Sequence, residues 1–278
     1  MAKPTCVVIA DLPSPGHLGG VFSELIVALT HTLHTLGVTV DYTRQLPRTR
    51  HPVIVFGLYR AFLKTPPTQK LPGNYFIFNL APLALGKLEW FDHYIRYIAQ
   101  HPCIDYAPHN ADLLETVRGP GHRAHLFKFG YFNLLPFSGF DRGSAYVFFG
   151  ALNEARKNRL DELRAAGVPL TVLQNTWGLE RDIQLRRARA VINIGKYEPN
   201  LLEVYRLWHT LCLGTPVYSD AGADARLAAS HAPYVRIFER LDASSLQETA
   251  ISPEVYRRET DFTASTQSLL DFISDHGH

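Results

Sequence analysis

The fold of this chain is decided by the stretch Ala190-Val-Ile-Asn-Ile-Gly-Lys-Tyr-Glu-Pro-Asn-Leu-Leu-Glu-Val-Tyr-Arg-Leu-Trp-His-Thr-Leu-Cys-Leu-Gly-Thr-Pro-Val-Tyr-Ser219. Its apolar and polar runs predict a strand, a polar loop, a helix, a tight turn and a second strand. In an open α/β sheet such a loop lies beyond the carboxyl ends of the strands, where ligands bind. The start of a helix there offers free N–H groups and a positive dipole to a phosphate. The stretch therefore indicates a nucleotide-sugar pocket.

The helix within this stretch is predicted to begin just after Glu198. Pro199 suits the first helical position, and Gly214 suits the turn after the last. Glu203 then lies about one turn in, where its carboxylate could bind a ribose. Acidic residues near a helix start are also favoured by the dipole alone, so a purely structural role stays open. The pocket interpretation is favoured by the polar residues that crowd the same loop, namely Asn193, Lys196, Tyr197, Glu198 and Asn200.

Composition describes a folded chain with room for two domains. Of its 278 residues 46% are hydrophobic and 19% charged, as in ordinary globular proteins. The net charge of +2 gives no strong electrostatic case for binding nucleic acid or a membrane. The three cysteines have no metal-like spacing and indicate buried thiols in a reducing compartment. We find no signal peptide and no apolar run of about 20 residues, so a cytoplasmic protein without a membrane span is predicted.

Strands and helices alternate along the first half of the chain. Cys6–Asp11 is a short apolar run, Val21–Leu36 has helical spacing, and Val38–Tyr42 resumes as a strand, which together make a βαβ unit. The following strands are so apolar that a parallel sheet covered on both faces is expected. They are Val53–Gly57, Tyr75–Leu80, Cys103–Ala107 and His125–Gly130.

A second α/β series follows a Pro- and Gly-containing linker at 133–143. It contains a charged helix near Leu179–Ala188, and the tail after Ser252 is predicted to be helical without a further strand. We therefore predict three segments: an N-terminal domain over 1–135, a C-terminal domain over 144–251 and a helical tail over 252–278. The predicted strands are Ala145–Gly150, Leu170–Gln174, Ala190–Ile194, Pro216–Ser219 and Tyr234–Glu239.

Three other loops carry candidate site residues. Leu12–Gly20 has three glycines that do not fit the dinucleotide fingerprint, and His17 within it is either a solvent-exposed polar residue or a catalytic one. Asn153 and Arg156 lie at a strand-to-helix junction, where a cation could neutralise a diphosphate, although a solvated helix face is the alternative. Asp105 follows a strand of the first domain and could face a ligand.

Several enzyme classes are excluded by missing motifs. The chain has no Walker motif, no Gly-x-Ser-x-Gly elbow, no His-Glu-x-x-His and no Cys-x-x-Cys. It also lacks the acidic spacing of a dedicated divalent-metal site, so we expect neither a metal nor a bound cofactor.

These segments together resemble the CgeB-like (spore-maturation type) glycosyltransferases of the GT-B fold. Tyr146–Lys157 is similar to the family's strand-Gly-x-Leu-Asn-x-x-Arg segment. Ala190–Arg206 is similar to its Leu-Asn-x-x-x-Tyr-Glu-x-x-x-x-Glu-x-x-Arg signature. The first domain matches more loosely, through Tyr75–Leu80, Asp105–Ala107 and Phe129–Tyr131 in the family's order.

The resemblance implies two Rossmann-like, doubly wound domains that face each other across a cleft, with a C-terminal helix. It implies that the second domain holds a nucleotide sugar, with Arg156 at the diphosphate and Glu203 at the ribose or sugar hydroxyls. The donor site would further be lined by Asn193, Tyr197, Glu198, Asn200 and Leu201. Gly195 and Lys196 stand where relatives often carry larger or aromatic residues, which leaves the choice of sugar open.

The sequence thus predicts transfer of a sugar, hexosyl or pentosyl, from a nucleoside diphosphate sugar to a hydroxyl acceptor. A UDP-sugar is the favoured donor, and the reaction is expected to be retaining and metal-independent. The acceptor stays open between a glycan, a protein, a lipid and a modified nucleic acid. The alternatives are a non-catalytic nucleotide-sugar-binding protein and another nucleotide-sugar enzyme such as an epimerase. The candidate catalytic residues are Glu198, Asp105 and His17, and the candidate donor-binding residues are Asn153, Arg156, Asn193, Tyr197, Asn200, Leu201 and Glu203.

Overall fold

The structure, a computed structural model, describes residues 3–12, 22–62, 70–119, 124–134, 141–196 and 201–276. The chain divides into two compact units. The first unit is Met1–Lys128 with Phe262–His278, and the second unit is Phe129–Asp261. This division differs from the predicted boundaries, because the end of the chain joins the first unit and does not form a tail of its own.

The first unit is built on one parallel sheet of six strands in the order β2-β1-β3-β4-β5-β6. Its strands are β1 Cys6–Asp11, β2 Thr39–Thr43, β3 Val53–Phe56, β4 Tyr75–Phe78, β5 Cys103–Asp105 and β6 His125–Leu126. Its helices are α1 Ser23–Thr35, α2 Leu58–Phe62, α3 Glu89–Ile98, α4 Pro108–Arg118 and α10 Phe262–His276.

The apolar runs of the first unit form the strands at the centre of its core. Every residue of β3 and β4 is buried, as expected for central strands covered by helices on both faces. The terminal helix α10 completes this core, since Phe272 lies 5.8 Å from Phe76 and Phe262 lies 5.7 Å from Phe127, ring centre to ring centre. These aromatic contacts explain why the end of the chain belongs to the first unit.

The second unit has a parallel sheet of five strands in the order β11-β10-β9-β7-β8. Its strands are β7 Tyr146–Phe149, β8 Leu170–Leu173, β9 Ala190–Asn193, β10 Val217–Asp220 and β11 Arg236–Phe238. Its helices are α5 Glu154–Ala165, α6 Gly178–Arg187, α7 Val204–Cys212, α8 Ala225–His231 and α9 Pro253–Glu259, with a short 3-10 helix at Ser245–Gln247. The predicted α/β alternation is thus confirmed.

The strand order of the second unit identifies its crevice. The chain passes from β7 to β8 on one side and then crosses to β9 on the other side of β7. Connections therefore diverge between β7 and β9, and this switch point is where open α/β sheets bind ligands. The loops that follow these two strands are the two in which the sequence places its donor-site candidates.

None of the helices in the described part of the chain is long and apolar enough to cross a membrane.

Candidate functional site

Arg156 joins the two loops at the switch point of the second unit. It lies in the first turn of α5, and its side chain is only 1% exposed. Its Nε donates to the carbonyl of Ile194 at 2.9 Å, and its Nη1 donates to the carbonyl of Ala151 at 2.7 Å. Its Nη2 donates to Glu203. The guanidinium therefore ties the loop after β7 to the loop after β9, and its contacts favour a positioning role over direct contact with a diphosphate.

Glu203 is the most accessible member of this group. Its carboxylate forms ion pairs with Arg156 through Oε1 and with Arg206 through Oε2, the latter at 2.6 Å, and its side chain is 31% exposed. It occupies the N-cap position of α7, so the predicted helix start at Pro199 is wrong. Leu201 and Leu202 are buried and lie ahead of the helix, which begins at Val204.

Arg206 is the functional candidate that sequence reasoning left out of the site. Its Nη1 donates to Oδ1 of Asn193 at 3.1 Å, and the Nδ2 of Asn193 donates to Oγ of Ser219 at 2.8 Å. All three side chains are buried. Burial lowers the pKa of the Arg206 guanidinium, while the charge of Glu203 opposes that shift. The Glu-x-x-Arg spacing, which makes residues i and i+3 neighbours on a helix, is the signal that could have identified it.

The side chain of Asn153 makes two hydrogen bonds to the backbone at the start of α5. Its Oδ1 accepts from the backbone N–H of Arg156 at 3.0 Å, which caps the helix. Its Nδ2 donates to the carbonyl of Lys196 at 2.8 Å. The predicted donor-site residue is thus a second link between the two loops.

The remaining donor-site candidates of the second unit divide into two groups. Leu201 is 3% exposed, so its side chain belongs to the interior of the unit. Tyr197, Glu198 and Asn200 lie outside the described residues, as does His17 of the first unit.

Asp105 lies at the end of β5 in the first unit and is fully enclosed. Its carboxylate accepts from Nδ2 of Asn79 at 2.7 Å, from Nδ2 of Asn110 at 3.0 Å and from the backbone N–H of Ala107 at 2.9 Å. Burial raises the pKa of Asp105 to about 7, although these donors oppose the shift. Both asparagines also donate to the carbonyl of Ala81. The contacts favour a role in holding the loop after β4 over contact with a substrate.

No protein-family model matches the chain, and no curated protein matches it. Among solved structures, AviGT4, a glycosyltransferase involved in avilamycin A biosynthesis, is similar over 99% of this chain and 98% of its own length, with 13% identity and a TM-score of 0.65. The glycotransferase of kitacinnamycin has 12% identity, covers 100% of this chain and 96% of its own, and gives a TM-score of 0.33. An α1,3-fucosyltransferase has 12% identity, covers 99% of this chain and 81% of its own, and gives a TM-score of 0.35.

The likeness to AviGT4 concerns the fold. It agrees with the α/β architecture predicted from the sequence, with two parallel-sheet units of the GT-B type. The narrower resemblance to the CgeB-like enzymes stays a prediction.

Proposed function

We propose that this chain is a glycosyltransferase that moves a sugar from a nucleoside diphosphate sugar to a hydroxyl group of an acceptor. The observation that carries the proposal is the ion cluster at the switch point of the second unit. Arg156 and Arg206 are both buried there and share the carboxylate of Glu203. A fold that resembles that of a glycosyltransferase over the whole chain supports the same conclusion.

The charges of the cluster suit an anionic donor. Two guanidinium groups and one carboxylate leave one excess positive charge among these three side chains. In a partly buried site at an effective dielectric constant of about 20, a unit charge about 8 Å from another interacts with it by about 2 kcal/mol. The cluster would therefore attract a diphosphate without a direct contact between Arg156 and the phosphates. Fixed positive charge behind the loop would also stabilise the diphosphate as it departs.

The proposed reaction breaks one glycosidic bond and forms another. The bond from the anomeric carbon to the diphosphate oxygen breaks, a bond from that carbon to the acceptor oxygen forms, and the proton of the acceptor hydroxyl passes to the departing diphosphate. Glu203, whose carboxylate is the open part of the cluster, would accept hydrogen bonds from the ribose or sugar hydroxyls. No step needs a metal ion, and we propose retention of the anomeric configuration.

The donor, the catalytic residues and the compartment are proposed from the sequence. The donor is proposed to be a UDP-sugar, and Glu198 and His17 are the proposed catalytic residues. Asp105 would take part only through the loop that it holds. Tyr197 and Asn200 are proposed to line the donor site, and the protein is proposed to act in the cytoplasm.

The proposal is tested with a panel of nucleoside diphosphate sugars and a mixed extract of glycans, proteins, lipids and nucleic acids as acceptors. Released nucleoside diphosphate is measured with and without EDTA. We expect release with at least one donor, unchanged by EDTA and strongly slowed in Glu203→Gln, with the thermal unfolding temperature of that variant measured to show that it is folded. The anomeric configuration of the product, read by NMR, tests retention.

Three results would contradict the proposal. Binding of a donor without release under any acceptor would indicate a non-catalytic binding protein. Interconversion of the donor into another nucleotide sugar would indicate an epimerase. A strict requirement for NAD would exclude glycosyl transfer as the reaction of this site.

A further inference from the structure

We infer that Arg206 is a positioning residue: its buried guanidinium fixes the carboxylate of Glu203 and holds the end of β7 against the end of β9. The inference rests on the proposed function for what the positioned group does, but its geometry is independent of it. Arg206 itself is only 7% exposed, whereas its ion-pair partner Glu203 is 31% exposed, so Glu203 is the better placed of the two to contact the proposed donor.

The guanidinium of Arg206 is fixed by contacts on several sides. Its Cζ lies over two aromatic rings at the end of β7, 5.2 Å from the ring centre of Phe148 and 5.4 Å from that of Phe149. Its two terminal nitrogens point to different partners, Nη1 to Asn193 and Nη2 to Glu203. A planar fork with separate partners on its two arms has one orientation, which a lysine ammonium could not reproduce.

Gly150 is the second, independent observation. Its backbone has φ +119°, and a Cβ placed on it would lie 2.7 Å from Nη2 and 3.3 Å from Cζ of Arg206. Real Cβ atoms do not approach a neighbour so closely, so a side chain at this position would have to displace the guanidinium of Arg206, in addition to the backbone strain that a φ of +119° imposes on any residue except glycine. The loop after β7 is thus shaped around Arg206 as well as around Arg156.

The contacts of Arg206 belong to a continuous chain of bonds. Ser219 at β10 accepts from Asn193 at β9, Asn193 accepts from Arg206, and Arg206 binds Glu203. Glu203 in turn binds Arg156, whose other nitrogens donate to both crevice loops. Among the five side chains joined by these bonds, only that of Glu203 is partly exposed. We infer that the network serves to fix the position of its carboxylate. Removing Arg206 would leave Glu203 held on one side only.

The decisive comparison is between Arg206→Lys and Arg206→Met, each measured for UDP affinity by calorimetry and for kcat and KM with the best donor of the panel. Lysine keeps the charge but not the fork. With Glu203 on the hydroxyls of the transferred sugar, which UDP lacks, we expect Arg206→Lys to bind UDP within about threefold of the wild type while its kcat falls about 100-fold, the scale of a small misplacement at a reacting centre. Arg206→Met lacks both the charge and the fork, so it should lose UDP affinity as well as kcat. Arg164→Met, which removes a surface arginine that is 45% exposed, is the matched control and should change neither the UDP affinity nor kcat.

A double variant separates positioning of Glu203 from general support of the fold. If Arg206 acts through Glu203, then Arg206→Met with Glu203→Gln should be no slower than Glu203→Gln alone. If the double variant were slower than Glu203→Gln by the same factor that Arg206→Met loses on its own, the two effects would be independent and the inference would be overturned. A wild-type kcat in Arg206→Lys would overturn it as well.

The contact with Gly150 supplies a test that needs no activity. Gly150→Ala should lower the thermal unfolding temperature more in the wild type than in the Arg206→Met background, because only the wild type has a guanidinium for the new methyl group to strike. Equal decreases would show that Arg206 does not hold the end of β7. If the wild type binds none of UDP, GDP, ADP, CDP and dTDP, the proposed function fails, and this cycle alone decides whether Arg206 positions the strand end.

Discussion

Arg156 and Glu203 form an ion pair in which the cation is enclosed and the carboxylate is partly open, with side chains 1% and 31% exposed. The open partner is also the shared one, because Glu203 binds a second buried guanidinium, that of Arg206. A buried cation loses its stabilisation when its counter-charge is removed, whereas a carboxylate near solvent can be hydrated. The more exposed residue of the pair therefore carries more of the stability of the site.

Glu203→Ala should lower the free energy of unfolding by about 2 to 4 kcal/mol, because it removes the carboxylate that the buried guanidinium groups of Arg156 and Arg206 share. Urea unfolding followed by tryptophan fluorescence measures the change. The matched control is Glu162→Ala, which removes the partner of Arg240 from an ion pair of 2.8 Å with both side chains about 60% exposed (59% and 64%). That variant should lose less than about 1 kcal/mol. Equal losses of unfolding free energy in the two variants would mean that the buried ion pairs stabilise the fold no more than a surface ion pair does.

Asn193→Asp tests the excess positive charge of the cluster. The substitution is nearly isosteric and places a second carboxylate beside Nη1 of Arg206, which removes the excess. The fold should be kept, but the affinity for a nucleoside diphosphate should fall about tenfold or more, equivalent to about 1.4 kcal/mol. Ser219→Ala is the control, because it removes the other bond of Asn193 without a change of charge. Undiminished affinity in Asn193→Asp would contradict an electrostatic role for the cluster.

Asp105 makes the stability of the first unit depend on pH in an unusual direction. Burial raises the pKa of Asp105 to about 7 from a usual value of 3.8, so the folded chain holds this proton more tightly than the unfolded chain does. The stabilisation is complete below pH 4 and is lost as the pH rises through 7. The difference in unfolding free energy between wild type and Asp105→Asn should therefore fall as the pH rises from 4 to 7, by at most about 1.4 kcal/mol per pH unit.

Urea unfolding of both proteins at several pH values measures this slope. Asp105→Asn is the reference because it cannot titrate, so the other carboxylates cancel in the difference. A difference that rises with pH would show that the amide donors of Asn79 and Asn110 outweigh burial and keep the carboxylate ionised.

The fold was predictable because its signals are local. Apolar runs such as Tyr75–Phe78 alternate with helical spacings, and alternation of this kind leaves few topologies other than a parallel sheet. What could not be predicted depends on contacts between distant residues. The terminal helix joins the first unit through Phe262 and Phe272, whose aromatic partners lie far away in the sequence.

In the candidate site, too, local features were predictable from the sequence and long-range contacts were not. The sequence identified the two loops and the residues Asn153, Arg156, Asn193 and Glu203, which the structure brings together. It placed the helix start five residues early, because the preference of proline for a first turn is a local signal, whereas Glu203 at the N-cap of α7 is bound by Arg156, 47 residues away in the sequence. The contacts of Arg156 could not be predicted, since nothing in a local pattern shows that its side chain reaches the carbonyl of Ile194, 38 residues along the chain.

Asn153 offers a prediction that separates helix capping from loop attachment. Asn153→Ser keeps an oxygen that can cap α5 but lacks the amide that donates to the carbonyl of Lys196. Asn153→Ala loses both bonds, and its free energy of unfolding should be about 1 kcal/mol lower than that of Asn153→Ser, the usual value of a cap. Calorimetric titration with UDP should show the same weakened affinity in both, because both release the loop after β9. If Asn153→Ser bound UDP as the wild type does, the bond to Lys196 would have no bearing on the nucleotide site, and Asn153 would serve the helix alone.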